Sequence, residues 1–131
     1  MEFQAGRNLF YRGRRREHAA VIYDRMKPII ERDPVNKRTV AMWDECGMRF
    51  RANIVEPGGR IEMHAHAYDH VAAVHGNFRL TTINPEGKTE ARTANRKETI
   101  AAGWRHGFDY LDDKDVGEVL CFWPIGHDGG V

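Results

Sequence analysis

Three histidines fall within the stretch GGRIEMHAHAYDH, at His64, His66 and His70, and a fourth, His106, follows in AAGWRHGF. Packing gives no reason to crowd polar rings in this way, so they either face water or converge on something. On an extended segment alternate side chains share a face. His64 and His66 then point the same way, with Cα atoms about 6.5 Å apart. Two imidazoles at that separation can lean onto one ion about 2.1 Å from each nitrogen. By the same alternation Glu62 shares their face. His70 follows the turn-like AYD and enters the same space if the next strand runs back beside the first. An HxH pair alone is weak evidence. It gains weight from the Gly58-Gly59 turn upstream, from His70 downstream and from the GxxHGF segment around His106.

Strands must position these rings, and the patterning of the chain supplies them. In MRFRANIV, Met48, Phe50, Ala52 and Ile54 fall on one face and Arg49, Arg51 and Asn53 on the other, the signature of a half-buried strand. TVAMWDE precedes it. RIEMHAH, DHVAAVHG, NFRLTTI, TEARTA, KETIAAG, HGFDYL and GEVLCFWPI continue the series, punctuated by EPGG, NPEGK and DDKD turns. Eight or nine short strands at close intervals predict an all-β sandwich or barrel. Residues 18–33 differ: Ala19, Ile22, Met26, Ile29 and Ile30 lie near helical spacing, but Pro28 interrupts it, which predicts a short helix or turn-rich arm ending at Pro34. The expected organisation is an N-terminal arm over residues 1–34 and one barrel domain over residues 35–131.

The bulk numbers agree with one folded domain. The chain has 131 residues, 30% charged and 41% hydrophobic, with a net charge of +1. No apolar run approaches a membrane span, and the arginine-bearing terminus has no apolar core of a secretory signal, so a cytoplasmic protein without membrane contact is expected. Cys46 and Cys121 form no CxxC, which predicts two reduced, buried thiols. The charge is uneven. Residues 1–18 hold Arg7, Arg12, Arg14, Arg15 and Arg16 against Glu2 and Glu17, so the rest of the chain is slightly acidic. One short basic cluster is a weak signal for phosphate contact, and nucleic acid is not the expected partner. Phe3, Phe10 and Tyr11 suit instead an arm that drapes over a partner subunit.

At the histidines the sequence resembles the cupin superfamily. Its first motif, G-x5-H-x-H-x3,4-E-x6-G, is matched by Gly58, His64 and His66, with His70 where the family usually has Glu. Its second, G-x5-P-x-G-x2-H-x3-N, is matched by Gly103 and His106. Gly76 comes one residue early when counted from His70. Counting from Asp69 restores the spacing and makes Asp69 the competing ligand. Ala101, Asn95 and Tyr110 replace the second motif's Pro, first Gly and Asn. Across residues 45–124 the resemblance implies an antiparallel jelly-roll barrel of six to eight strands that holds one divalent metal per chain (Fe, Mn, Ni, Cu or Zn) on His64, His66, His70 and His106. It also implies a homodimer that exchanges N-terminal strands.

Four neutral imidazoles would leave the metal's charge uncompensated, which favours a small anionic or enolisable ligand and Lewis-acid chemistry. Four ligands on an octahedral ion leave two places, for dioxygen and substrate or for one bidentate substrate. Glu62 and Tyr110 are the catalytic candidates, Glu62 to orient a histidine or act as acid/base and Tyr110 to donate to substrate, while Phe108, Ala72 and Val74 are the candidates to line the substrate space. His75 falls on the opposite face from His70. The expected function is a metal-dependent enzyme, foremost a dioxygenase that cleaves a C–C bond. The alternatives are a sugar-acid lyase or isomerase, or a binding and sensing module without turnover.

Overall fold

The structure, a computed structural model, describes residues 27–126. The arm over residues 1–18 and the homodimer contact assigned to it lie outside the described residues. Within them the chain forms ten strands: β1 (Ile29–Asp33), β2 (Arg38–Glu45), β3 (Met48–Val55), β4 (Arg60–His64), β5 (His70–His75), β6 (Phe78–Ile83), β7 (Thr89–Thr93), β8 (Lys97–Ile100), β9 (Arg105–Tyr110) and β10 (Gly117–Pro124). They build a six-stranded sheet in the order β1-β2-β3-β10-β5-β8 and a four-stranded sheet in the order β4-β9-β6-β7. Every pairing is antiparallel. The expected jelly-roll barrel is therefore present.

Local chemistry accounts for the corners. Cys46 and Gly47, with φ of 53° and 75°, form the two-residue loop between β2 and β3, the backbone of a type I′ hairpin turn. Cys46 is thus exposed at a hairpin tip and not buried as expected, whereas Cys121 is buried. At NPEGK the Asn84 side chain accepts the Lys88 N–H at 2.8 Å and closes the β6–β7 hairpin. The helix or arm expected over residues 18–33 is replaced, in its described part, by β1. Pro28 blocks helical continuation, and pairing from Ile29↔Met42 to Asp33↔Arg38 satisfies the backbone instead.

The two sheets close on a core that includes Val55, Ile61, Val74, Phe78, Leu80, Phe108, Tyr110, Val119 and Trp123. A bidentate pair ties their edges together. Arg92 on β7 donates to both oxygens of Glu98 on β8 at 2.7 Å, and the Asn95 N–H adds a third bond at 2.6 Å. β3 corrects the simple amphipathic reading. Ala52, Asn53, Ile54 and Val55 are all buried, so both faces of the strand are covered at its end. Arg51 and Asn53 look into the barrel. Phe50 lies on the other face, where it stacks on Trp43 with ring centroids 5.3 Å apart and packs against Phe122 at 5.8 Å.

Candidate metal centre

β4 and β9 pair in the four-stranded sheet. His64 lies opposite His106, and Ile61 lies opposite Phe108. Three steps along β4 therefore match two along β9, which is a β-bulge. The bulge decides the site. Strict alternation from the inward Ile61 would turn His64 outward, and the extra residue turns it back in. It also separates Glu62 from His64: the Glu62 side chain is exposed, not on the ligand face as alternation predicted. What Glu62 contributes at close range is its backbone carbonyl, 2.8 Å from His64 Nδ1.

His66 lies past the end of β4, in the loop to β5, and its carbonyl accepts the Gly103 N–H at 2.9 Å. Asp69 reinforces that junction by accepting the Ala102 N–H at 2.7 Å. The loop that carries His66 is thus stitched to the turn that leads into β9 and His106. Asp69, the alternative ligand, is exposed and occupied in this way, while His70 at the start of β5 is buried. His64, His66 and His106 each bring one ring nitrogen within 4.8 Å of the others. His70 is not in that tight set but packs on it, with ring centroids 4.6 Å from His66 and 5.1 Å from His106.

The donor chemistry fits a metal. His64 Nδ1 faces the Glu62 carbonyl and His106 Nδ1 faces the Trp104 carbonyl at 3.1 Å. A proton on each Nδ1 leaves the Nε2 lone pair toward the cluster, the usual arrangement of metal-binding imidazoles. His106 Nε2 and both ring nitrogens of His70 are buried without a hydrogen-bond partner. Such orphaned groups are costly unless something ligates them. Burial lowers the pKa of His64, and takes His106 down to about 4 and His70 to about 3. The neighbouring rings push His70 and His106 further in the same direction, and the Arg51 and Arg38 charges do so for His64, so these three imidazoles are neutral at neutral pH.

A cavity of about 180 Å³ opens beside the rings, lined in part by Ile61, Glu62, His64, His66, His106, Phe108 and Trp123. Phe108 therefore sits where substrate contact was expected. Ala72 and Val74 do not line this cavity; they are 0% and 7% exposed and pack in the core, because the chain past His70 runs under the facing sheet. Tyr110 is corrected too. It is buried against Phe78, with ring centroids 4.9 Å apart, and its hydroxyl donates to the Lys114 carbonyl at 3.3 Å. Four residues of strand place it about 13 Å from His106, beyond contact with a ligand there. His75 is exposed, on the face opposite His70. Sequence reading missed the wall that faces the rings: Arg38, Arg51, Asn53, Cys121 and Trp123. Its one local signal was the alternation of Arg51 and Asn53 along β3, which also fits a wet face.

No family model matches the sequence, and no curated protein matches it. Solved structures do. The oxalate decarboxylase of Bacillus subtilis, a protein with Mn(II) centres, superposes with a TM-score of 0.64 at 15% identity, covering 79% of this chain and 28% of that one. An oxalate oxidase in complex with the substrate analogue glycolate gives 0.58 at 18% identity, over 68% of this chain and 52% of that one. The 7S globulin of Momordica charantia gives 0.61 at 20% identity, over 75% and 32%. All three are cupins. This chain has the cupin fold. It spans between 28% and 52% of the length of these proteins. Two enzymes and a globulin share the cupin barrel, so activity has to be argued from the site.

Proposed function

We propose that the protein is a metal-dependent cupin enzyme acting on a small anionic or enolisable organic substrate, with dioxygenase-type C–C cleavage as the leading reaction. The observation that carries this reading is the convergence of His64, His66 and His106 ligand atoms within 4.8 Å beside a cavity of about 180 Å³. His64, His66 and His106 would hold one divalent ion, with His70 as the fourth ligand. Bound there, the metal would supply Lewis acidity and, if it is iron, electron exchange with dioxygen. The chain's residues do the remaining work. Phe108 and Trp123, on facing sheets, give the cavity apolar surface that disfavours water, and the neutral imidazoles leave the positive charge available to an anion. Glu62 is the one carboxylate among the lining residues, and from the exposed rim it can pass a proton between substrate and solvent.

Metal content of protein purified without a histidine tag tests this first. His66→Ala and His106→Ala are each expected to lose most of the metal, and undiminished occupancy rejects the centre. Oxygen uptake on addition of small diketones and oxo-acids supports the dioxygenase. Metal-dependent binding of uronates or other acids without oxygen uptake moves the reading to a lyase, an isomerase or a sensing module. The cupin fold of a 7S globulin is the observation that favours a module without turnover. The same reading takes the protein as a homodimer held by residues 1–18. Light scattering of a chain lacking them is expected to show a monomer, and an unchanged assembly rejects the arm's role.

A further inference from the structure

Arg51 is a half-buried cation that no carboxylate contacts directly, and Glu31 is the one carboxylate that favours its charge from a distance. It lies on β3, in the sheet facing β4 and β9, and lines the same cavity as the histidines. Its neighbour Arg38 is neutralised: Arg38 Nε donates to Asp33 at 2.9 Å, and a second nitrogen donates to Asn53 Oδ1 at 2.8 Å. Among the described residues no carboxylate pairs with Arg51. Its polar contact is a long one, 4.0 Å to Met42 Sδ, and the guanidinium carbon stands 5.9 Å from the centre of the Trp123 ring. Arg51 Nε and the Trp123 indole N–H are both buried donors without an acceptor. Leaving such groups unsatisfied destabilises a fold, so their retention on one cavity wall points to a ligand that completes them.

We propose that Arg51 binds a carboxylate of the substrate, so that the protein takes small acids with two anionic ends, one toward the histidine centre and one on the guanidinium. This rests on the proposed function and narrows it. Charge matches: neutral imidazoles do not offset a divalent ion and no carboxylate is in ion-pair contact with Arg51, so a dianion pairs with both ends. Size matches as well. A cavity of roughly 150 Å³ takes one benzene, so about 180 Å³ encloses an acid of about six to ten non-hydrogen atoms. A phenylpropenoid or a uronic acid exceeds it.

The test titrates malonate and malonamate, in which one carboxylate becomes an amide, into manganese-loaded wild-type protein and Arg51→Met by calorimetry. Wild type is expected to prefer malonate by roughly 10- to 100-fold, and R51M to lose that preference. Metal content stays equal in the two proteins. Ligand-free R51M is expected to melt at or above the wild-type temperature, because an unpaired charge has been replaced by an apolar chain of similar length. A residue serving structure alone would lower the melting temperature and leave the malonate preference intact. If R51M does not fold, Arg51→Lys carries the test, with charge kept and the planar fork lost; it should retain only part of the preference. A preference unchanged in the folded variant, or absent in wild type, overturns the proposal. Failure of wild type to take up metal rejects the histidine centre separately. Malonate must even then bind wild type better than R51M for the Arg51 assignment to stand.

Discussion

At the scale of single residues, Asp69 and His70 show how neighbours divide their work. Both stand near the motif position where cupins usually have Glu. The Asp69 carboxylate accepts the Ala102 N–H at 2.7 Å, which holds the His66 loop against the turn that leads to His106. His70 is buried with two unpartnered nitrogens. Asp69 is therefore read as a positioning residue. Asp69→Ala is expected to weaken metal affinity by roughly 10- to 100-fold without abolishing binding, the range found when partners that orient ligands are removed. His70→Ala should cost more. Competition with a chromogenic chelator measures both, and the reverse order would make Asp69 the ligand.

Elements decide which rings can meet. The bulge in β4 sets His64 beside His106, and Gly107, next to His106, makes the close approach possible. A Cβ at Gly107 would stand 2.9 Å from Met63 Sδ and 3.0 Å from the Ile61 carbonyl oxygen. At the other end of β9 the packing is tighter still. A Cβ on Gly117, at the start of β10, would lie 2.5 Å from the Tyr110 ring and 2.6 Å from the Phe78 ring. Both rings are buried and have no free direction to move. Gly117→Ala is expected to cost about 1–3 kcal/mol, the usual penalty for overpacking a core. A fall of several degrees in melting temperature by circular dichroism, with metal content unchanged, is the outcome that fits. An unaltered melting temperature would mean that β10 can shift without cost.

For the molecule as a whole, one buried carboxyl sets a pH dependence unconnected with the site. Glu118 is 6% exposed, and burial raises its pKa to about 8 from 4.5. Its strand neighbours are His75 and Ile54, and neither pairs with its buried Oε2. The folded state thus holds the proton more tightly than the unfolded one. The stability it confers is complete below about pH 4.5 and is lost as the pH rises through about 8. At pH 7 the loss is on the order of 3 kcal/mol. Glu118→Gln cannot ionise, so its stability should fall less between pH 5 and pH 8.5 than that of wild type. Urea denaturation at the two pH values measures this, and parallel slopes for the two proteins would reject it. The histidines contribute equally to both chains and cancel in the comparison.

The strands and the identity of the ring cluster were legible in the sequence. Alternation and turn chemistry are local, so MRFRANIV, NFRLTTI and HGFDYL announced β3, β6 and β9, and the GGRIEMHAHAYDH spacing announced His64, His66 and His70. Register between distant strands is not local, and there the tertiary structure decided. A one-residue bulge turned His64 inward and so separated it from the face of Glu62. The strand direction past His70 carried Ala72 and Val74 into the core, and the length of β9 took Tyr110 out of reach of the rings. Arg51 reads from sequence as the wet side of a half-buried strand, because alternation shows that two faces differ but not which one the second sheet covers. Only the packing of β3 across from β4 and β9 turned that arginine toward the histidines and made the wall that faces them cationic.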